Sequence, residues 1–167
     1  HVKDAINSVL FQSYQNIELI IIYDDEDKSD LNYLNHIVKN NSKIKIIENQ
    51  KNIGAGLSRN KGIKHAKGDL IAFIDADDFW YKDKLEKQLS FMNKNNYEFV
   101  FCDYIKKKDD NEKKVLCKFS SLNYYELLNS CDIGLSTVLI KKKIIEENLF
   151  PALKTKEDYV VWLNVKK

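Results

Sequence analysis

Leu70-Ile71-Ala72-Phe73-Ile74-Asp75-Ala76-Asp77-Asp78-Phe79-Trp80 is the stretch that decides how the chain is read. An unbroken apolar pentad runs straight into three carboxylates within four positions. Such a pentad, bounded by turn-prone residues, predicts a strand buried on both faces, as in a parallel sheet lying between helices. Sheets of that kind deliver functional groups at the carboxyl ends of their strands. Carboxylates clustered there repel one another unless a cation sits among them. A hard divalent ion with positions left for phosphate oxygens answers that need, which suits Mg²⁺ or Mn²⁺. The plainer alternative is local: Asp side chains take backbone N–H groups in turns, and Asp78 could cap a following helix over Lys82–Asn93.

A second stretch repeats the pattern. Ile17-Glu18-Leu19-Ile20-Ile21-Ile22-Tyr23 is another apolar run, and Asp24-Asp25 closes it. In a parallel sheet the carboxyl ends of neighbouring strands share one edge, so Asp24, Asp25, Asp75 and Asp77 are expected to converge from two strands. Around these runs the spacing predicts helices over residues 2–12, 29–40, 82–93 and 142–148, and strands near 44–47, 99–102 and 136–140. Residues 106–114 read as a charged hairpin tip and Tyr124–Leu128 as a short helix. For 159–165 periodicity alone does not separate helix from strand, and Glu157-Asp158 at its start favours helix. Alternating strands and helices make this an α/β domain with a largely parallel sheet flanked by helices.

Asn52-Ile53-Gly54-Ala55-Gly56-Leu57-Ser58-Arg59-Asn60-Lys61-Gly62 is a glycine-bearing loop entering a helix. It lacks the third glycine of a dinucleotide loop, so that reading is rejected. Two readings stay open: backbone N–H groups and Arg59 facing an anion, or glycines making a tight turn with Arg59 on the surface.

Bulk properties exclude several classes. The length of 167 residues suits one domain, and 31% charged with 44% hydrophobic residues is an ordinary globular composition. A net charge of +2 gives no case for nucleic acid, and Lys106-Lys107-Lys108 and Lys141-Lys142-Lys143 read as solvated faces. Cys102, Cys117 and Cys131, odd in number and without CxxC spacing, read as reduced thiols of a cytoplasmic protein. No apolar run reaches transmembrane length.

Taken together, these residues resemble a known family. Ala5-Ile6-Asn7-Ser8-Val9-Leu10-Phe11-Gln12-Ser13-Tyr14 with Asn16–Asp25 is similar to the opening of bacterial family-two glycosyltransferases of the GT-A fold. Asn52–Gly56, Ser58–Gly62 and Ala66-Lys67-Gly68 resemble the segment that follows. Phe73-Ile74-Asp75-Ala76-Asp77-Asp78 resembles the family's metal-binding DxD motif, and Lys156–Leu163 its late acidic-aromatic segment. The resemblance implies transfer of a sugar, with inversion, from a nucleotide-diphosphate donor to an acceptor hydroxyl in surface polysaccharide or glycan synthesis. It implies that Asp25 contacts the nucleotide base with Asp24 beside it. Asp75 lies near the ribose, Asp77 with Asp75 holds Mg²⁺ or Mn²⁺, Arg59 serves the donor site, and Asp158 is the general base. The plainer role for Asp158 is a helix cap, with Trp162 packing in the core.

The acceptor is expected to be a saccharide or a lipid-linked glycan, reached by a cytoplasmic protein at the inner face of the membrane. The resemblance further implies one GT-A-like nucleotide-diphospho-sugar transferase domain over 1–167, with its first strand ahead of His1 and more chain beyond Lys167. Where the family carries Asp-Asp-Gly-Ser, this chain has Asp24-Asp25-Glu26-Asp27. Two other functions compete. Asp75-Ala76-Asp77 also resembles the aspartate-nucleophile motif of phosphoryl-transfer enzymes, although Phe79 stands where that motif wants Thr or Val. A fragment that binds nucleotide without turnover is the third reading.

Overall fold

The computed structural model describes residues 1–167 apart from 40, 109–110, 118–122, 130 and 132. Ala5, Ile6 and Val9 bury one face of helix α1 (Val2–Leu10), and strand β1 (Leu19–Tyr23) follows. A 3₁₀ turn over Lys28–Asp30, capped by the Asp27 side chain, leads into α2 (Leu31–Val38) and β2 (Ile44–Glu48). The expected end of that helix at residue 40 lies outside the described residues. Next come α3 (Ala55–His65), β3 (Leu70–Ala72), α4 (Lys84–Asn95) and β4 (Phe99–Val100). Asn96, left-handed at φ 54°, closes α4.

A hairpin, β5 (Tyr104–Lys108) and β6 (Asn111–Val115), brackets the predicted charged tip, whose residues 109–110 lie outside the described residues. Then α5 (Tyr124–Asn129), β7 (Leu139–Lys141), α6 (Lys142–Glu147) and α7 (Glu157–Lys166) complete the chain. The helix over 159–165 is therefore realised.

The α/β expectation holds, but the strands do not form one largely parallel sheet: a parallel pair stands beside an antiparallel three-stranded sheet and a separate hairpin. β1 and β2 pair in parallel, Leu19 opposite Ile44 and Tyr23 opposite Glu48. β7 lies antiparallel between β3 and β4. A continuous apolar run signals burial on both faces and carries no information about direction. The chain reaches Leu139-Ile140 after the hairpin and α5, and so enters the sheet from the opposite edge. Because β3 and β4 are each antiparallel to β7, they run parallel to one another, and their carboxyl ends open on the same edge.

The predicted strand at 136–140 begins instead as a 3₁₀ turn over Leu135–Thr137, where the Thr137 hydroxyl and N–H both donate to the Gly134 carbonyl at 2.6 and 3.0 Å. Trp162, fully buried, stacks on Phe99 at 5.3 Å between ring centroids and meets the edge of Phe150 at 6.4 Å. The cluster round it joins Ile63 of α3, Ile71 of β3, Ile140 of β7 and Ile145 of α6. A second cluster of Val9, Trp80 and Leu85 gathers Leu19 from β1 and Ala72 from β3, which sets the two sheets side by side.

Candidate active site

β1 ends at Tyr23 and hands Asp24 and Asp25 to the carboxyl edge. Asp24 turns inward. Its Oδ1 accepts from the Asn49 amide at 2.7 Å and the Ile53 N–H at 2.9 Å, and its Oδ2 accepts from the Gly54 N–H at 2.8 Å. The chain folds round this carboxylate because Gly54 adopts φ 85°, a conformation costly for any residue with a Cβ. Burial alone would raise the Asp24 carboxyl, yet the bonds from Ile53, Asn49 and Gly54 hold it below the usual carboxylate range. Asp25 stays exposed and, among the described residues, accepts only the Asp27 N–H at 3.1 Å, leaving oxygen lone pairs toward solvent.

Asn49 carries the same network into α3 by donating to the Ser58 hydroxyl at 2.9 Å. The next residue, Arg59, reaches the other strand end. Its Nη2 donates to Asp75 Oδ1 at 3.0 Å, and its Nη1 donates to Glu157 Oε1. The guanidinium also lies over the Phe150 ring, 5.5 Å from the centroid. Burial pushes the Asp75 carboxyl up, Arg59 pulls it back, and the charges of Asp78 and Asp77 add to the rise. Arg59 is the sole arginine of a lysine-rich chain. A flat fork that bonds two carboxylates while stacking on a ring cannot be replaced by lysine. Neither of the two readings left open for this loop describes Arg59 fully: it is largely buried and engages two carboxylates of its own chain.

Gly56 makes the approach of α7 possible. A Cβ there would sit 2.8 Å from the Pro151 carbonyl oxygen and 3.3 Å from Glu157. α3 therefore presses directly on the segment that delivers Glu157 and Asp158.

Asp75-Ala76-Asp77-Asp78 forms a turn, with the Asp78 N–H donating to the Asp75 carbonyl at 3.1 Å. Ser136 fixes this turn from β7's side. Its hydroxyl accepts the Asp75 N–H at 3.1 Å, and its carbonyl accepts Trp80 Nε1 at 2.8 Å. Asp77 and Asp78 are exposed, and neither carboxylate bonds another described residue. Asp78 caps no helix, since α4 starts only at Lys84. Among the described residues no three acidic, His or Cys side chains form a ready-made metal cage. One or two carboxylates with open oxygens, Asp77 beside Asp75, nevertheless fit a hard divalent ion completed by phosphate oxygens.

Asp158 occupies the first turn of α7, next to Glu157, and its Oδ1 accepts the Tyr159 N–H at 2.8 Å. Lys156, not Asp158, is the capping residue of that helix, at φ 61°. The structure thus brings Asp75, Arg59 and the start of α7 together, and ties Asp24 to the same helix, α3. Sequence reasoning missed Glu157, Asn49 and Ser136 as site residues. Glu157 could have been found from charge balance, because a lone arginine in a motif wants a carboxylate partner. Asn49 and Ser136 carry no local signal.

A model of the family described as Glycosyl transferase family 2 matches residues 1–150. The chain is 37% identical over 169 aligned residues to the UDP-Glc:alpha-D-GlcNAc-diphosphoundecaprenol beta-1,3-glucosyltransferase WfgD of Escherichia coli, covering 99% of this chain and 64% of that protein. An uncharacterized glycosyltransferase of Rickettsia felis is 39% identical over 97% of the chain, which is 27% of its own length. The chain thus spans from about a quarter to about two thirds of these curated relatives. In fold it superposes on S. aureus TarS 1-349 in complex with UDP-GlcNAc, with a TM-score of 0.82 at 20% identity, over 99% of this chain and 49% of that one. The mannosyltransferase PcManGT of Pyrobaculum calidifontis, solved with GDP-Man and Mn²⁺, gives 0.73 at 14% identity, over 98% and 47%.

Proposed function

Since the chain belongs to glycosyl transferase family 2, with a GT-A-like fold, we propose that it forms the donor and catalytic region of an enzyme that moves a sugar from a nucleoside diphosphate to an acceptor hydroxyl. The observation that supports this most is Arg59 bonding Asp75 and Glu157 together, because it sets the helix start carrying Asp158 against the strand end carrying the acidic motif.

Each residue then has a task. Asp24 shapes the 52–54 loop, and Asp25 offers its exposed oxygens to the nucleotide base. Asp77, assisted by Asp75, holds the Mg²⁺ or Mn²⁺ that travels with the diphosphate. When bound, that ion acts as a Lewis acid and neutralises charge on the departing oxygens. Asp158 takes the acceptor proton as the acceptor oxygen attacks the anomeric carbon and the bond to the diphosphate breaks. A single displacement of this kind inverts the anomeric configuration. The relatives' names support a lipid-linked diphosphate glycan as acceptor, and the name of one, which refers to teichuronic acid biosynthesis, supports a polysaccharide as product.

Among the described residues no helix is long and apolar enough to cross a membrane. We assign the protein to the cytoplasmic side, at the membrane's inner face, where such an acceptor is presented. Phosphoryl transfer to Asp75 is the weaker reading, because Arg59 already engages one of its two carboxylate oxygens. The test is a melting panel of nucleotide sugars with and without Mn²⁺, led by UDP-glucose, UDP-N-acetylglucosamine and GDP-mannose. A metal-dependent rise with one of them is expected; no rise with any, or stable phosphorylation of an aspartate, overturns the proposal.

A further inference from the structure

The lysines of the β5–β6 hairpin were read from sequence as a solvated face, and their placement says more. β3 and β4 run in the same direction, so β4 delivers the chain to the edge that holds Asp75, and the hairpin rises from there. Its base is anchored at the rim of the site. The Tyr104 ring comes within 3.8 Å of where a Cβ on Gly134 would stand, and Ser136, two residues on, bonds the Asp75 N–H. Side chains alternate along a strand, so Lys106 shares the face that Tyr104 turns toward this rim. In register across the hairpin, Val115 faces Tyr104 and Lys113 faces Lys106.

That face therefore places two ammonium groups directly opposite one another, an arrangement that destabilises an isolated ladder. Lys107, on the other face, has its own partner in Glu112 at 3.6 Å, whereas no described carboxylate pairs with Lys106 or Lys113. Both are exposed. Opposed cations without a described carboxylate partner, next to a site for a phosphorylated substrate, are what an anion would neutralise.

The geometry points to the Lys106–Lys113 face as a subsite for the phosphate or diphosphate of a phosphorylated acceptor. It rests on the glycosyltransferase reading and names the part of the chain that meets the acceptor's charged end. The donor's diphosphate belongs to Asp77, and the hairpin holds the second one.

The test uses the full-length protein with its donor site saturated by Mn²⁺ and the nucleoside diphosphate selected in the melting panel. Farnesyl diphosphate, titrated calorimetrically, is the probe, and farnesol is the control lacking phosphate. The double variant Lys106→Gln, Lys113→Gln is expected to weaken farnesyl diphosphate by about 10-fold, each lost contact being a partly exposed charge-assisted bond. Nucleotide affinity should stay the same, and the melting temperature should not fall, since like charges are removed. Equal affinity in wild type and variant, or farnesol binding as tightly as the diphosphate, overturns the subsite. So does a variant that loses only its binding to phosphatidylglycerol vesicles, which would assign the lysines to a bilayer surface. Failure of the wild type to bind any nucleoside diphosphate would instead sink the transferase reading, and this one with it.

Discussion

Glu157 and Arg59, 98 residues apart in sequence, form a largely buried ion pair that fastens the first turn of α7 to α3. Asp158 inherits its position from that bond. The same guanidinium holds Asp75, so the acidic motif and the proposed base are set by one side chain.

Glu157→Gln keeps the shape but removes the charge facing Arg59. Breaking one partner of this largely buried pair costs about 2 kcal/mol here, since Asp75 still shares the guanidinium. Urea unfolding reads this directly. A loss below about 0.5 kcal/mol, the scatter of ordinary surface substitutions, would mean that the pair does not hold α7.

Asp158→Asn leaves donor affinity unchanged and lowers turnover by about 10²–10⁴-fold, the usual worth of a general base. Asp77→Ala does the opposite and abolishes the Mn²⁺-dependent part of donor binding. Single-turnover assays and donor titrations on the full-length protein separate the two. Near-normal transfer by Asp158→Asn would remove Asp158 from the mechanism.

Acid weakens the Asp24 knot. Its carboxyl lies below its ordinary value of 3.8 in the folded chain, so its stabilising share is complete above that value and declines as pH falls through the lower folded pKa. Asp24→Asn should lower stability at neutral pH and flatten the acid limb of the stability curve. Parallel acid limbs in wild type and variant would show that the loop does not depend on the charge.

At the alkaline end Lys84 acts in the same sense. Its ammonium sits 4.1 Å from the Trp80 ring centroid, donates to Gln88 at 2.8 Å, and is pushed down to about 8 by burial, with Cys102 nearby partly opposing. Between pH 8 and the unfolded value of 10.5 the unfolded chain binds more protons. Stability contributed by this site therefore rises with pH, by on the order of 2–3 kcal/mol over the interval. Cys102, raised by its own burial, titrates in the opposite sense, so the comparison is with Lys84→Met. The difference between the two stability curves should be flat below pH 8 and shift between pH 8 and 10.5; an offset that stays constant through that interval would refute the assignment.

The acidic edge was legible because Leu70–Ile74 and Leu19–Tyr23 are continuous apolar runs that stop at aspartates, and burial pattern is what a sequence states most directly. The sense of β7 was not, since Leu139-Ile140 reads the same in either direction. Asp24 was legible as important but not in kind: its ligands are N–H groups of its own chain, brought round by a single positive φ at Gly54. Glu157 escaped notice because its partner lies far away in sequence, and only packing through Gly56 joins them.

Ser136 touches the acidic turn at Asp75 and again at Trp80, and the Asp78 N–H bonded to the Asp75 carbonyl tightens the span between. The turn is an arch on two fixed footings rather than a dangling flap. Asp77 and Asp78 at its crown can re-aim by small torsions while the hydrophobic foundation under Trp80 stays still. On the proposed donor role of Asp77, different sugars are accommodated at the crown without refolding the base, and a cavity-forming change at Trp80 disturbs that crown from below.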